Sequence, residues 1–382
     1  MNKLVIITSS PVNISTWLKG QPKYLSKFFQ VEMITSFSSN IKEIENYEGV
    51  RINVIPITRK ITPFKDIISL FRIIKCLYKF QPDIVYSMNP KSGLLGMLAG
   101  RITNIPIRMH CVVGLVDFGS KGLKKKILIW SEKVTYFFST NLYSNSKELG
   151  EYIAKNFSQK NIKTIGNGSI NGVDTNFFSN SASPSEKQKI KNELNFKSSD
   201  FVITFIGRIV KDKGINDLVS AFLKLSSRKD NLKLLIIGSY DDNLNPINKI
   251  TKDEIEKSIN IKRIDFQDDI RNFLEITDLF VLPSYREGFP NVLLEAGCYG
   301  IPIVASNING CNEVVEHGVN GLLFEKKDIE GLIESINIFL TNDKFYNSAR
   351  ENMRNLIIDK YSQDRFHNNL YFEMKELILL NS

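Results

Sequence analysis

Leu282-Pro283-Ser284-Tyr285-Arg286-Glu287-Gly288-Phe289-Pro290-Asn291-Val292-Leu293-Leu294-Glu295-Ala296 passes from an apolar run, through a Gly-Pro turn, into a helical pattern. Residues 279–282 read as a buried strand and 292–299 as the helix that follows it. The same alternation extends outward in both directions. Residues 4–7, 52–55 and 83–86 read as strands in the first half, and 201–206, 232–237 and 302–305 in the second. Helical patterns at 64–80 and 216–226 lie between them. Continuous apolar strands separated by amphipathic helices imply parallel sheets covered on both faces. The pattern restarts after the Ser- and Asn-rich residues 179–185. Two doubly wound α/β domains are therefore expected, at 1–168 and 169–360, with a C-terminal helix over 361–382 packing back on the first.

Composition supports this and narrows the class. The chain has 382 residues, 42% hydrophobic and 24% charged, enough for two globular cores and far from a disordered composition. Cys76, Cys111, Cys298 and Cys311 include no CxxC pair, which argues against a zinc ribbon or disulfide scaffold and suits a reducing compartment. Met1-Asn2-Lys3 precedes only four strongly apolar residues, so no signal peptide is expected, and no run approaches the roughly 18–20 apolar residues of a spanning helix. A cytoplasmic protein follows from that reading. The net charge of +9 is unevenly spread: residues 1–168 carry 24 Lys+Arg against 10 Asp+Glu, and the remainder 26 against 31. The first half should face an anionic partner.

In doubly wound sheets ligands bind beyond the carboxyl ends of the strands. The opening stretch is such a junction. Backbone N–H groups of Gly288, Phe289 and Asn291 would lie at the start of the helix, an anion site, while Pro290 loses no donor there. Glu287 and Glu295 flank that site. Carboxylates accept hydrogen bonds from sugar hydroxyls, so the pair suits a nucleotide sugar, with Glu287 reaching a hexose and Glu295 a ribose. A charge at Glu295, within an apolar run, needs such a partner. A second junction, Gly207-Arg208-Ile209-Val210-Lys211-Asp212-Lys213-Gly214, sets Arg208 and Lys213 around one turn, where both can meet a phosphate.

Glu287-x7-Glu295 with Glu-Gly-Phe-Pro-Asn between, Gly207-Arg208-x4-Lys213, Glu-Ala-x3-Gly-x-Pro at 295–302 and Gly-x-x-Glu at 310–313 resemble retaining glycosyltransferase family 4. The resemblance covers most of the chain and is strongest over 201–325. It implies the GT-B fold, two Rossmann-like domains facing each other across a cleft. It implies that Arg208 and Lys213 hold the donor diphosphate, that Glu287 faces the transferred sugar, and that Glu295 binds the ribose. His110, in Arg108-Met109-His110-Cys111-Val112-Val113-Gly114, matches the family's His-x3-Gly position, whose imidazole approaches the donor sugar. Gly20 resembles the glycine loop near the donor phosphate. Around Phe266-Gln267-Asp268-Asp269-Ile270 the chain lacks the glycine that similar proteins commonly show, which leaves the nucleobase unspecified.

Gly166-Asn167-Gly168-Ser169-Ile170-Asn171-Gly172 is no dinucleotide fingerprint, since Asn171 stands where the third glycine belongs. It resembles the domain junction of members that build bacterial surface polysaccharides. No Asp-x-Asp occurs anywhere, so the resemblance implies a metal-independent transfer without cofactor. The expected reaction moves a hexose or N-acetylhexosamine, UDP-linked, to a polyprenyl-diphosphate-linked saccharide, by same-face attack or by double displacement through Glu287. Lys91, in Asn89-Pro90-Lys91-Ser92-Gly93, is a candidate for the acceptor diphosphate. Phe64, Ile67, Ile68, Phe71, Ile74 and Tyr78 with Lys65, Arg72 and Lys79, and Lys124, Lys125, Lys126 and Lys133 beside Ile127, Trp130, Val134 and Phe137, fit helices resting on an anionic inner-membrane surface. They equally fit helices packed on the sheet with solvated lysines. A nucleotide-sugar epimerase of the same fold is the nearest alternative. A nucleic-acid-binding protein explains the charge and not the donor motif, and no recognition module for nucleic acid is present.

Overall fold

The computed structural model describes the chain apart from residues 59–61, 115–121, 180, 242–244 and 382 and the side chain of Lys124. It divides into two units, one of residues 1–172 and 363–382 and the other of 173–362. The first unit holds seven strands: β1 (Lys3–Ile7), β2 (Gln30–Thr35), β3 (Arg51–Val54), β4 (Ile84–Ser87), β5 (Ile107–Val112), β6 (Asn141–Ser144) and β7 (Ile162–Thr164). The second holds β8 (Phe201–Ile206), β9 (Leu232–Ile237), β10 (Ile261–Ile264), β11 (Leu279–Leu282), β12 (Ile303–Ser306) and β13 (Gly321–Phe324).

All pairings are parallel, in the orders β3-β2-β1-β4-β5-β6-β7 and β10-β9-β8-β11-β12-β13. The apolar runs become these strands because parallel strands between helix layers bury both faces: Leu4, Val5, Ile6 and Ile7, like Leu279, Phe280, Val281 and Leu282, are all interior. The Ile215–Ser226 helix buries Ile215, Leu218, Val219 and Phe222 against the second sheet, at helical spacing.

The boundary falls a little beyond residue 168 because the next residues are bonded into the first unit. Ser169 N–H donates to the Asn145 carbonyl at 2.8 Å, and Gln21 Nε2 donates to the Ile170 carbonyl at 2.9 Å. Asn171 Oδ1 meets His367 Nε2 at 2.7 Å. His367 belongs to the terminal helix Gln363–Asn381, which buries Phe366, Leu370, Met374 and Leu377 in the core of the first unit. Each of these apolar side chains contributes about 1.5–3 kcal/mol relative to exposure.

Candidate active site

Each sheet reverses its strand order once, and in the second unit it does so between β8 and β11. The turns after these two strands therefore leave toward opposite faces and open a crevice between them. Both sequence junctions singled out above end there. Gly214 brings them into contact. Its φ is +71°, and a Cβ on it would stand 2.0 Å from the Pro283 carbonyl oxygen, so no other residue allows the β8 turn to lie on the β11 turn. Tyr285 N–H donates to the Asp212 carbonyl at 2.8 Å, and Arg286 Nη2 lies 2.5 Å from Asp212 Oδ2. Tyr285 OH donates to Asp217 Oδ2 at 2.8 Å.

This scaffold aims Lys213 at Glu287, Nζ to Oε1 at 2.5 Å, with both side chains mostly buried. Behind them, Asn309 Nδ2 donates to the carbonyls of Glu287 at 3.2 Å and Gly288 at 2.9 Å. Gly310 follows so closely that a Cβ on it would lie 2.5 Å from the Gly288 carbonyl oxygen. The turn before the helix is thus held from both sides.

The helix runs Asn291–Cys298, with Pro290 at its cap. Among the described residues, the N–H groups of Gly288 and Phe289 donate to no protein acceptor. The Phe289 ring packs against Tyr361, centroids 5.8 Å apart. Glu295 is half-buried on the helix, and burial pushes its pKa up to about 7. Arg208 is mostly exposed at the end of β8, with Nη1 3.5 Å from Asp241 Oδ2, a loose pairing that leaves it able to turn to a ligand. Lys213 of one turn and Glu287 of the other thus meet between the two strands, with Gly288, Phe289 and Pro290 leading from Glu287 into the helix that carries Asn291 and Glu295.

In the first unit, His110, Gly20 and Lys91 all have protein partners. His110 is buried on β5. Its Nδ1 is 2.9 Å from Ser87 Oγ, and a Cβ on Gly93 would lie 2.4 Å from its ring. Burial lowers its pKa to about 3, and Ser87 only partly opposes this. The neutral imidazole is thus held between β4 and the Pro90–Ile102 helix. Gly20 stands at the cap of the Gln21–Leu25 helix. Its N–H donates to Glu48 Oε1 at 2.9 Å, and Lys23 N–H to Glu48 Oε2 at 3.2 Å. Burial raises the pKa of the buried Glu48 carboxyl, while these two bonds lower it. Lys91 is paired as well, with Asp66.

Asp212, Asp217, Asn309 and Glu48 escaped the sequence reading. Asn309 precedes the glycine of the Gly-x-x-Glu motif, which was its one available signal. Glu48 had none, being remote in sequence from Gly20.

The basic helices stand in the first unit. The Pro63–Phe80 helix leaves Phe64 86% and Phe71 67% exposed, with Ile67, Ile68 and Tyr78 also open, while Ile74 turns partly inward. The Gly122–Phe138 helix leaves Trp130 64% exposed, together with Leu123, Ile127 and Phe137. Lys65, Arg72, Lys125, Lys126 and Lys133 are exposed on these two helices; the Lys124 side chain lies outside the described residues.

Two parallel α/β units and a switch-point crevice carrying paired glutamates define the class as a GT-B glycosyltransferase. Residues 186–356 match the family model for glycosyl transferases group 1, and 24–168 that for the glycosyl transferase 4-like domain. The chain is 33% identical over 350 residues to the capsular polysaccharide biosynthesis glycosyltransferase CapM of Staphylococcus aureus, covering 90% of each. It is 30% identical over 346 residues to the UDP-Gal:alpha-D-GlcNAc-diphosphoundecaprenol alpha-1,3-galactosyltransferase of Escherichia coli, covering 87% of this chain and 86% of that one. A crystal structure of Anabaena HepE with UDP and glucose shares the fold, with a TM-score of 0.81 at 18% identity, over 98% of this chain and 100% of that one. This chain belongs to the glycosyl transferases group 1 family and is a hexosyltransferase.

Proposed function

We propose that the protein transfers a hexose or N-acetylhexosamine from a UDP-sugar to a polyprenyl-diphosphate-linked saccharide, with retention and without a metal, at the anionic cytoplasmic face of a membrane. The observation that carries the donor half is the β8/β11 crevice. Lys213 and Arg208 supply cations, Gly288 and Phe289 supply open N–H donors, and Glu295 supplies a carboxylate for ribose hydroxyls.

In this reading the leaving diphosphate draws Lys213 from Glu287, and Glu287 is freed to orient the sugar hydroxyls. The acceptor hydroxyl oxygen attacks the anomeric carbon on the face from which the phosphate oxygen departs, and that oxygen takes the acceptor proton. Charge on the leaving group is met by Arg208, Lys213 and the fixed N–H dipoles, the kind of preorganised electrostatics that dominates such steps.

The acceptor half is supported by the Escherichia coli relative described above, whose name gives a diphosphoundecaprenol-linked GlcNAc, and by a further relative from Campylobacter jejuni. It is an N,N'-diacetylbacillosaminyl-diphospho-undecaprenol alpha-1,3-N-acetylgalactosaminyltransferase, 27% identical over 327 residues. No helix of the described residues is long and apolar enough to cross a membrane. Exposed aromatics among lysines on Pro63–Phe80 and Gly122–Phe138 support attachment to an anionic surface. The test is a nucleotide-sugar screen by thermal shift, followed by transfer to an undecaprenyl-diphosphate-linked saccharide with the product anomer read by NMR. Absence of stabilisation by any UDP-sugar would defeat the donor reading, and an inverted anomer would defeat retention.

A further inference from the structure

The first sheet also has a switch point, between β1 and β4. Polar groups gather at the carboxyl ends of these strands. Thr8 Oγ1 donates to Thr35 Oγ1 at 3.0 Å, and Ser9 N–H (3.3 Å) and Asn13 Nδ2 (2.8 Å) converge on Asn89 Oδ1. Two residues after Asn89, the Lys91 ammonium pairs with Asp66 of the Pro63–Phe80 helix. The two side chains are only 14% and 19% exposed. Asp66 is also held by Thr62, whose Oγ1 donates to Oδ1 at 3.1 Å.

Burying such a pair is costly, and well-packed apolar side chains often replace one without loss of stability. Its setting suggests what else it does. The first turns of the helix that carries Asp66 also present Phe64, Ile67, Ile68 and Phe71 to the exterior. A protected cation therefore adjoins exposed apolar side chains, at the place in the sheet where ligands bind. The ligand chemistry matching both is an anionic head on an apolar chain.

We propose that Lys91 binds the diphosphate of the prenyl-linked acceptor, and that Asp66 is its resident counter-ion, which the phosphate displaces. This rests on the acceptor class proposed above and assigns that acceptor a subsite. Asp66 then sets acceptor affinity by competition: with it in place, weakly binding anions such as free phosphate are excluded, and a diphosphate anchored by its prenyl chain succeeds.

The test is calorimetric titration of farnesyl diphosphate into the full-length protein saturated with UDP, which blocks the crevice of the second unit. Inorganic pyrophosphate and farnesol serve as head-only and tail-only arms. Lys91→Gln should weaken farnesyl diphosphate roughly 10- to 100-fold, the scale of a lost charge-assisted bond, and Lys91→Arg should restore much of it. Asp66→Asn should tighten binding roughly two- to fivefold, as loss of a competing ion pair does. These opposite signs are the signature, because a mere helix latch would make both variants lose thermal stability and move affinity the same way. Like-signed shifts, or wild-type affinity in Lys91→Gln, overturn the proposal, and farnesol binding as tightly as the diphosphate does so too. UDP binding is read in the same experiment: its absence would speak against the donor site, whereas intact UDP binding with like-signed variants refutes this subsite alone.

Discussion

Gly214→Ala should disable the donor site without unfolding the second unit. The added methyl would stand 2.0 Å from the Pro283 carbonyl oxygen and 3.1 Å from the Pro283 Cβ. A carbon and a carbonyl oxygen need a little over 3 Å, so the two turns must separate by about 1 Å, and the obstacle is backbone that no rotamer can relieve. Alanine at φ +71° adds roughly 1–2 kcal/mol of left-handed strain. Lys213 is the neighbouring residue, so the separation falls on its 2.5 Å pairing with Glu287. A misplacement of about 1 Å in a reacting constellation can cost on the order of 10²-fold in rate. The assay is kcat/KM for transfer with UDP affinity by calorimetry, beside Gly49→Ala as a control. Gly49 has φ +65°, and a Cβ on it would meet nothing within 4 Å, so alanine there incurs strain alone. The control should lose a few degrees of Tm and keep its UDP affinity. If Gly214→Ala matches the control in both rate and UDP affinity, the close approach of the two turns does not position the site.

Arg208→Ala should lower transfer by about 10²–10³-fold, the usual scale for a lost electrostatic stabiliser, and EDTA should have little effect; strict dependence of the chemical step on added magnesium would refute the metal-independent reading. Glu295→Ala should weaken free UDP while Glu287→Ala mainly damages transfer, and equal losses of UDP affinity in calorimetry would remove that division of roles. With its pKa near 7, Glu295 should accept ribose hydroxyls only when ionised, so UDP affinity should rise from pH 6 to pH 8 in the wild type and flatten in Glu295→Gln. The same shift has the opposite sign for stability. The folded state holds the Glu295 proton above the ordinary 4.5, so this group makes the protein less stable as pH rises from about 4.5 to 7, a slope that thermal melts of the Gln variant should lack. Replacing Lys125 and Lys126, with Lys124, by glutamate should release the protein from anionic liposomes, since each basic residue near such a surface contributes about 1 kcal/mol; sedimentation unchanged at physiological salt would reduce those lysines to a solvated helix face.

The sequence by itself determined the two-sheet α/β class and the composition of the donor crevice. Those features are local: a buried strand, a glycine turn and a helix start follow one another within about fifteen residues at 282–296, and strand chirality leaves few ways to connect them. Glu287 and Glu295 could be read because a single helix start sets their spacing. The tertiary structure alone decided the state of the first unit's candidates. His110 ends a strand in sequence and still lies inside, because Ser87 and Gly93 come from the neighbouring strand and its helix. The Gly20 amide meets Glu48 from another helix, and the Lys91 ammonium meets Asp66. Which partner a polar group meets depends on which distant residue folding brings against it, and periodicity carries no record of that neighbour.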